Sequence, residues 1–190
     1  MPEYNLSRLN VLVVEHHAHM RHLIRNILME LGISNVRDAG DAETAFEIFQ
    51  DFPADLVLTD WSPSLNGMAF LEKIRQHAES RDMFAPVVMI TAFTEMNQVC
   101  KARDAGINEF LAKPFSAHLI YSRIKSLIEN PRLYVRADSY FGPDRRRRAL
   151  NYRGRERRGG TPMELPTPRG RAATTLNASE PKPGSNPLYN

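Results

Sequence analysis

Cysteine is almost missing from this chain. Cys100 is the one thiol in 190 residues, so no internal disulfide can form and a reducing compartment is expected. Long apolar runs are missing too: none approaches the roughly 20 residues that a membrane-spanning helix requires. The start, Met1-Pro2-Glu3-Tyr4-Asn5, lacks the basic stretch and apolar core of a signal peptide. Together these absences lead us to expect a cytoplasmic protein with no transmembrane segment. There is also no convincing internal repeat, no helix-turn-helix and no appended catalytic module. The chain is therefore not expected to be an enzyme, and its output should be a surface.

Charge of one sign is scarce in each part of the chain. Residues 1–130 carry 12 Lys+Arg against 17 Asp+Glu, and residues 131–190 carry 13 against 5. An acidic part with a net of −5 thus precedes a basic part with a net of +8. Eight of the 13 prolines lie in the basic part. The high isoelectric point belongs to this extension, and the acidic part is long enough for one domain with a sizeable core.

What is present in the first part is a series of short apolar runs, each ending abruptly in a polar group. Leu56-Val57-Leu58-Thr59 stops at Asp60, Val11-Leu12-Val13-Val14 stops at Glu15 and His16, and Val87-Val88-Met89-Ile90 stops at Thr91. Phe110-Leu111-Ala112 delivers Lys113 and Pro114. Such runs read as strands buried on both faces of a parallel sheet. Between them the apolar residues follow the helical i, i+3, i+4 spacing, as in Met20, Leu23, Ile24, Ile27, Leu28 and Leu31, or Leu119, Ile120, Ile124, Leu127 and Ile128. Gly32 and Gly106 read as helix stops, and Asp41 and Ser116 as N-caps. A short strand near 35–39 completes a five-stranded (βα)5 unit in residues 8–130. Crossovers of this length must be right-handed and the sheet parallel. Any α/β protein alternates in this way, but here the carboxylates of Glu15 and Asp60, the hydroxyl of Thr91 and the ammonium of Lys113 collect at strand tips, where ligand sites of open sheets lie.

Leu12-Val13-Val14-Glu15, Leu58-Thr59-Asp60-Trp61, Asn66-Gly67, Ile90-Thr91-Ala92 and Lys113-Pro114-Phe115 together resemble, in order and spacing, the receiver domain of response regulators, and above all the single-domain chemotaxis type. The resemblance implies a flavodoxin-like, doubly wound α/β fold with strand order 2-1-3-4-5. It implies a bacterial two-component phosphorelay in which Asp60 accepts a phosphoryl group from a histidine kinase or phosphotransfer protein. Mg²⁺ held by Glu15, Asp60 and the Ser62 backbone carbonyl would offset charge on the transferred group. Thr91 and Lys113 would contact the phosphate, Phe110 would be the switch residue, and Lys113–Pro114 a cis peptide. Output would be docking through the face around Phe110.

Three residue patterns depart from the family. Receivers usually carry two adjacent acids after the first strand, whereas here Glu15 is followed by His16 and His17. Imidazole is a poor Mg²⁺ ligand. Weak Mg²⁺ binding is expected, and the histidines (with His19) are either polar surface or ligands of a softer metal. The loop from Asp60 to Gly67 is one residue shorter than usual. Phe110 has no hydroxyl to offer the threonine.

After Pro131 the periodicity stops. We expect an arginine-rich extension over 131–160 and a largely disordered tail over 161–190, whose composition buries too little apolar surface to offset chain entropy. Gly142-Pro143-Asp144 reads as a turn. Lysine is absent from 145–158, where Arg145, Arg146, Arg147, Arg148, Arg153, Arg155, Arg157 and Arg158 surround Tyr152. Arginine alone favours bidentate and stacked contacts with phosphate and guanine over bulk charge. The stretch resembles the arginine-rich extensions of chemotaxis-like receivers that bind cyclic di-GMP and act on flagellar motors or surface attachment. That resemblance implies an alternative function, a second-messenger effector with degenerate phosphorylation chemistry. A basic tail folding back on the acidic domain, and non-specific nucleic-acid binding, remain open as well.

Overall fold

The computed structural model describes residues 4–144, apart from residues 63, 93, 94, 138 and 139. Five strands, β1 (Asn10–Val14), β2 (Asn35–Ala39), β3 (Leu56–Asp60), β4 (Val87–Thr91) and β5 (Glu109–Ala112), form one parallel sheet in the order β2-β1-β3-β4-β5. Five helices alternate with them: α1 (Ala18–Glu30), α2 (Ala42–Asp51), α3 (Gly67–Gln76), α4 (Met96–Ala105) and α5 (Ala117–Glu129). This is the flavodoxin-like order expected, with the topological switch between β1 and β3.

The period-two geometry of a strand sorts the apolar runs between two cores. Leu12, Val14, Val57, Val87 and Met89 face one side and pack with Phe46, Phe49, Phe70, Leu71, Ile74 and Ala102 of α2, α3 and α4. Val11, Val13, Leu56, Leu58, Val88, Ile90 and Leu111 face the other and pack with Ile24, Leu28, Ile120 and Ile124 of α1 and α5. Each β3 and β4 residue is buried, as expected of central parallel strands. Two residues of the helical patterns turn outward instead: Leu23 and Leu119 lie on the solvent side of α1 and α5.

Local chemistry sets the helix ends. The Asp41 carboxylate accepts from Thr44 N–H, Asn66 Oδ1 from Ala69 N–H, and the Ser116 hydroxyl from Leu119 N–H. Gly106 closes α4 at φ +99°, a conformation that a side chain disfavours. Among the described residues no helix is long and apolar enough to cross a membrane.

The region after Pro131 departs from the sequence reading. Two further strands, β6 (Tyr134–Ala137) and β7 (Tyr140–Pro143), pair antiparallel as a hairpin. Gly142 and Pro143 therefore belong to a strand rather than to a turn. The hairpin is docked on the domain at the end of the sheet opposite the strand tips. Tyr134 and Phe141 are buried and meet Phe84 edge-on at 5.3 Å each. Beneath them lies Arg75, only 1% exposed. Its guanidinium donates to the carbonyls of Gly106 (3.1 Å), Met83 (2.8 Å) and Ala85 (2.9 Å) and to Asn108 Oδ1 (3.0 Å), and it sits 5.3 Å from the Tyr134 ring. Gly142 allows the close approach: a Cβ there would lie 2.7 Å from Gly106 Cα. Periodicity could not reveal this element, because its apolar residues are spaced for contact with a buried cation and two loops.

Candidate functional site

Four strand ends deliver the polar groups to one rim. Parallel pairing sets Asp60 beside Ile90, and Thr91 beside Ala112, so Asp60, Thr91 and Lys113 emerge from neighbouring strands. Glu15 follows directly on β1 and is held by its N–H on the Ala39 carbonyl at 3.1 Å. Glu15 and Asp60 are both buried. The Asn66-Gly67 turn closes against this rim: a Cβ at Gly67 would stand 2.1 Å from the Asp60 carbonyl oxygen. Only glycine fits at that point, which explains why Asn-Gly follows the short loop.

Lys113 ties the two acids together. Its Nζ lies 2.7 Å from Glu15 Oε2 and 2.7 Å from Asp60 Oδ1. Burial of the ammonium works against its charge, but hydrogen bonds to Asp60 and Glu15 and their negative charge outweigh it, and the Lys113 pKa is raised. Burial likewise works against the Glu15 carboxylate, yet hydrogen bonds from Lys113 and His17 prevail, and its pKa is lowered. The Lys113–Pro114 peptide is cis, as the family resemblance implied. The Thr91 hydroxyl donates to the Trp61 carbonyl at 2.7 Å. Asp60 Oδ2 is buried and has no hydrogen-bond partner among the described residues. Such an atom costs stability, and a catalytic role is one reason for it to be retained.

The histidines divide in a way that the sequence did not reveal. His16 is exposed, and its backbone carbonyl accepts from Arg21 Nη1 at 2.9 Å. His17 is the one in contact with the site: its N–H donates to Glu15 Oε1 at 2.9 Å, and its Nδ1 lies 3.0 Å from the same oxygen. Among the described residues no group of three or more His, Cys, Asp or Glu side chains is placed to hold a metal ion, so no softer-metal site is supported there. Phe110 is half-buried and packs against the core on the α2–α4 side. Arg145 to Arg148, Tyr152, Arg153, Arg155, Arg157 and Arg158, and the tail beyond them, lie outside the described residues.

Residues 11–125 match the family described as "Response regulator receiver domain". The chain belongs to the response regulator receiver family. It is 33% identical over 122 residues to the chemotaxis protein CheY of Pseudomonas aeruginosa, covering 64% of this chain and 97% of that protein. It is also 33% identical over 124 residues to chemotaxis protein CheY-3 of Vibrio cholerae, covering 65% and 94%. Among solved structures, chemotaxis protein CheY4 of Vibrio cholerae superposes with a TM-score of 0.56 at 23% identity, covering 62% of this chain and 96% of that one. A CheY-like receiver protein from Methanospirillum hungatei gives 0.54 at 20%, covering 62% and 91%. At such identities these two support the fold alone.

Receivers generally bind Mg²⁺ at their acidic pocket. Mg²⁺ demands near-octahedral oxygen ligands, and the donors of this receiver do not fit it. Both Glu15 oxygens and Asp60 Oδ1 are already taken by Lys113 and His17. The Ser62 carbonyl accepts from Leu65 N–H at 3.2 Å in a reciprocal bridge. The second acid of the family is replaced by the exposed His16. Among the described residues one carboxylate oxygen of the pocket, Asp60 Oδ2, is left without a partner.

Proposed function

We propose that this receiver is a single-domain response regulator of a bacterial two-component phosphorelay. It works in the cytoplasm, takes a phosphoryl group on Asp60 from a histidine kinase or phosphotransfer protein, and acts by docking to a partner rather than by catalysing an output reaction. The observation that carries this reading is Asp60 Oδ2, a buried carboxylate oxygen at a strand tip with no partner among the described residues. Lys113 fixes the other oxygen, so Oδ2 is the nucleophile. It forms the new P–O bond as the bond to the donor's leaving group breaks, and that group departs with its electron pair. The product gains an anion beside Lys113, whose ammonium turns to the phosphoryl oxygens. The Thr91 hydroxyl, now on the Trp61 carbonyl, makes its bond to the phosphoryl group instead. That movement opens space for Phe110 and alters the surface of α4, β5 and α5 that the partner meets. The test is intact mass after incubation with acetyl phosphate. The wild type should gain the mass of one phosphate and Asp60→Asn none. A gain retained in Asp60→Asn would remove the assignment.

A second reading is supported by the arginine-only stretch. It begins one residue after Asp144, whose N–H donates to the Leu133 carbonyl at the base of the hairpin. The chain thus leaves a docked element directly into eight arginines without a lysine. On this reading the stretch binds cyclic di-GMP, with the flagellar motor as a target, and Asp60 chemistry is secondary. A basic run would also accept nucleic acid through its phosphates.

A further inference from the structure

The disagreement between the family's metal and this pocket points to a further property. We propose that the phosphoryl-acceptor site of this chain works without a divalent cation, with the Lys113 ammonium as the cation beside Asp60. The inference rests on Asp60 as the acceptor.

The pocket's oxygens are claimed one by one. Lys113 Nζ spans Glu15 Oε2 and Asp60 Oδ1 at 2.7 Å each. The His17 N–H and ring hold Glu15 Oε1. Arg21 Nη1 donates to the carbonyls of Glu15 (2.7 Å) and His16 (2.9 Å) while its Nε donates to Asp38 at 3.2 Å, so the loop leaving β1 is pinned to α1 and β2. A cation entering here would compete with the Lys113 ammonium and the His17 N–H for the two carboxylates, and among the described residues it would find only Asp60 Oδ2 as an uncommitted carboxylate oxygen.

The charge count agrees with the geometry. Two carboxylates face one ammonium, which leaves a single uncompensated negative charge. A second acid after Glu15 would leave two. An incoming phosphoryl group therefore meets one fewer negative charge than in a pocket with three acids. In that pocket the cation supplies the missing positive charge. In this chain the replacement of that acid by His16 removes one of those charges, and the Lys113 ammonium offsets one of the two that remain.

The experiment uses the full chain, with acetyl phosphate as donor and intact mass as readout, in Mg²⁺ and in EDTA, for the wild type and His16→Asp. In parallel, Mg²⁺ is titrated into both without donor while Trp61 fluorescence and melting temperature are followed. The wild type should be phosphorylated at rates that differ by less than about threefold between Mg²⁺ and EDTA, and should show no Mg²⁺ response. His16→Asp should acquire a Mg²⁺ response and a rate loss in EDTA of more than about tenfold. A wild type that loses about tenfold or more in EDTA, or binds Mg²⁺ as tightly as His16→Asp, overturns the inference. If neither protein is phosphorylated in either medium, the Asp60 reading fails. The Mg²⁺ titration, which needs no transfer, then decides cation binding by itself.

Discussion

Replacing Tyr134 by alanine tests whether the β6–β7 hairpin is part of the cooperative domain. Tyr134 is 4% exposed. Its ring meets Phe84 edge-on and Phe141 at a tilt, with centroids at 5.3 and 5.7 Å, and covers the Arg75 guanidinium. Its hydroxyl donates to the Phe84 carbonyl at 2.7 Å and accepts from Asn108 Nδ2 at 3.2 Å. Truncating a buried aromatic costs about 3–5 kcal/mol. Losing the hydroxyl adds about 1 kcal/mol, which Tyr134→Phe should show alone. The Arg75 cation, held by three carbonyls and the Asn108 amide oxygen, would also lose its aromatic cover. We expect Tyr134→Ala to lose about 4 kcal/mol in urea unfolding followed by Trp61 fluorescence. With a slope of about 2 kcal/mol per molar, the midpoint falls by about 2 M. Trp61 is the sole tryptophan and stands at the opposite end of the sheet, so it reports the domain and not the hairpin. A midpoint shift below about 0.3 M would refute the reasoning and show that the hairpin opens separately from the domain.

Three further outcomes are expected. Lys113→Ala should destabilise by about 3 kcal/mol in the same assay, because it leaves the buried Glu15 and Asp60 carboxylates facing each other without their cation; an unchanged midpoint would mean that the ammonium is not their counter-charge. The lowered Glu15 pKa stabilises the fold above the unfolded value of about 4.3 and is lost as pH falls through the lower folded value, while the raised Lys113 pKa stabilises below about 10.4 and is lost as pH rises through the higher one. Melting temperature should thus fall at both ends, and Glu15→Gln should flatten the acid limb. Replacing the eight arginines of 145–158 by lysine keeps the charge and removes the planar fork. Calorimetry with cyclic di-GMP and a short RNA, at two salt concentrations, should show affinity lost for the first and kept for the second, since each bidentate contact is worth about 1–3 kcal/mol; equal binding of cyclic di-GMP by both variants ends the second-messenger reading.

Local pattern alone determined most of the domain. Apolar runs of strand length, helical spacing between them, and the caps at Asp41, Ser116 and Gly106 act over a few residues, so they are visible in one dimension. The polar residues at the strand tips were legible for the same reason, because a parallel sheet must bring successive C-terminal ends to one edge. Tertiary structure decided what pairs across the chain. Lys113 reaches Glu15 from 98 residues away, and the roles of His16 and His17 diverge because only one faces the carboxylate. Nothing local marks that choice: both are histidines at a helix start. The hairpin is the clearest case. Its strands are four residues long and carry no alternating pattern. They are held by Arg75, Phe84, Gly106 and Asn108, which come from three separate stretches of chain. A contact between short polar-aromatic segments and a buried guanidinium leaves no period in sequence, and the fold has to assemble it before it can be seen.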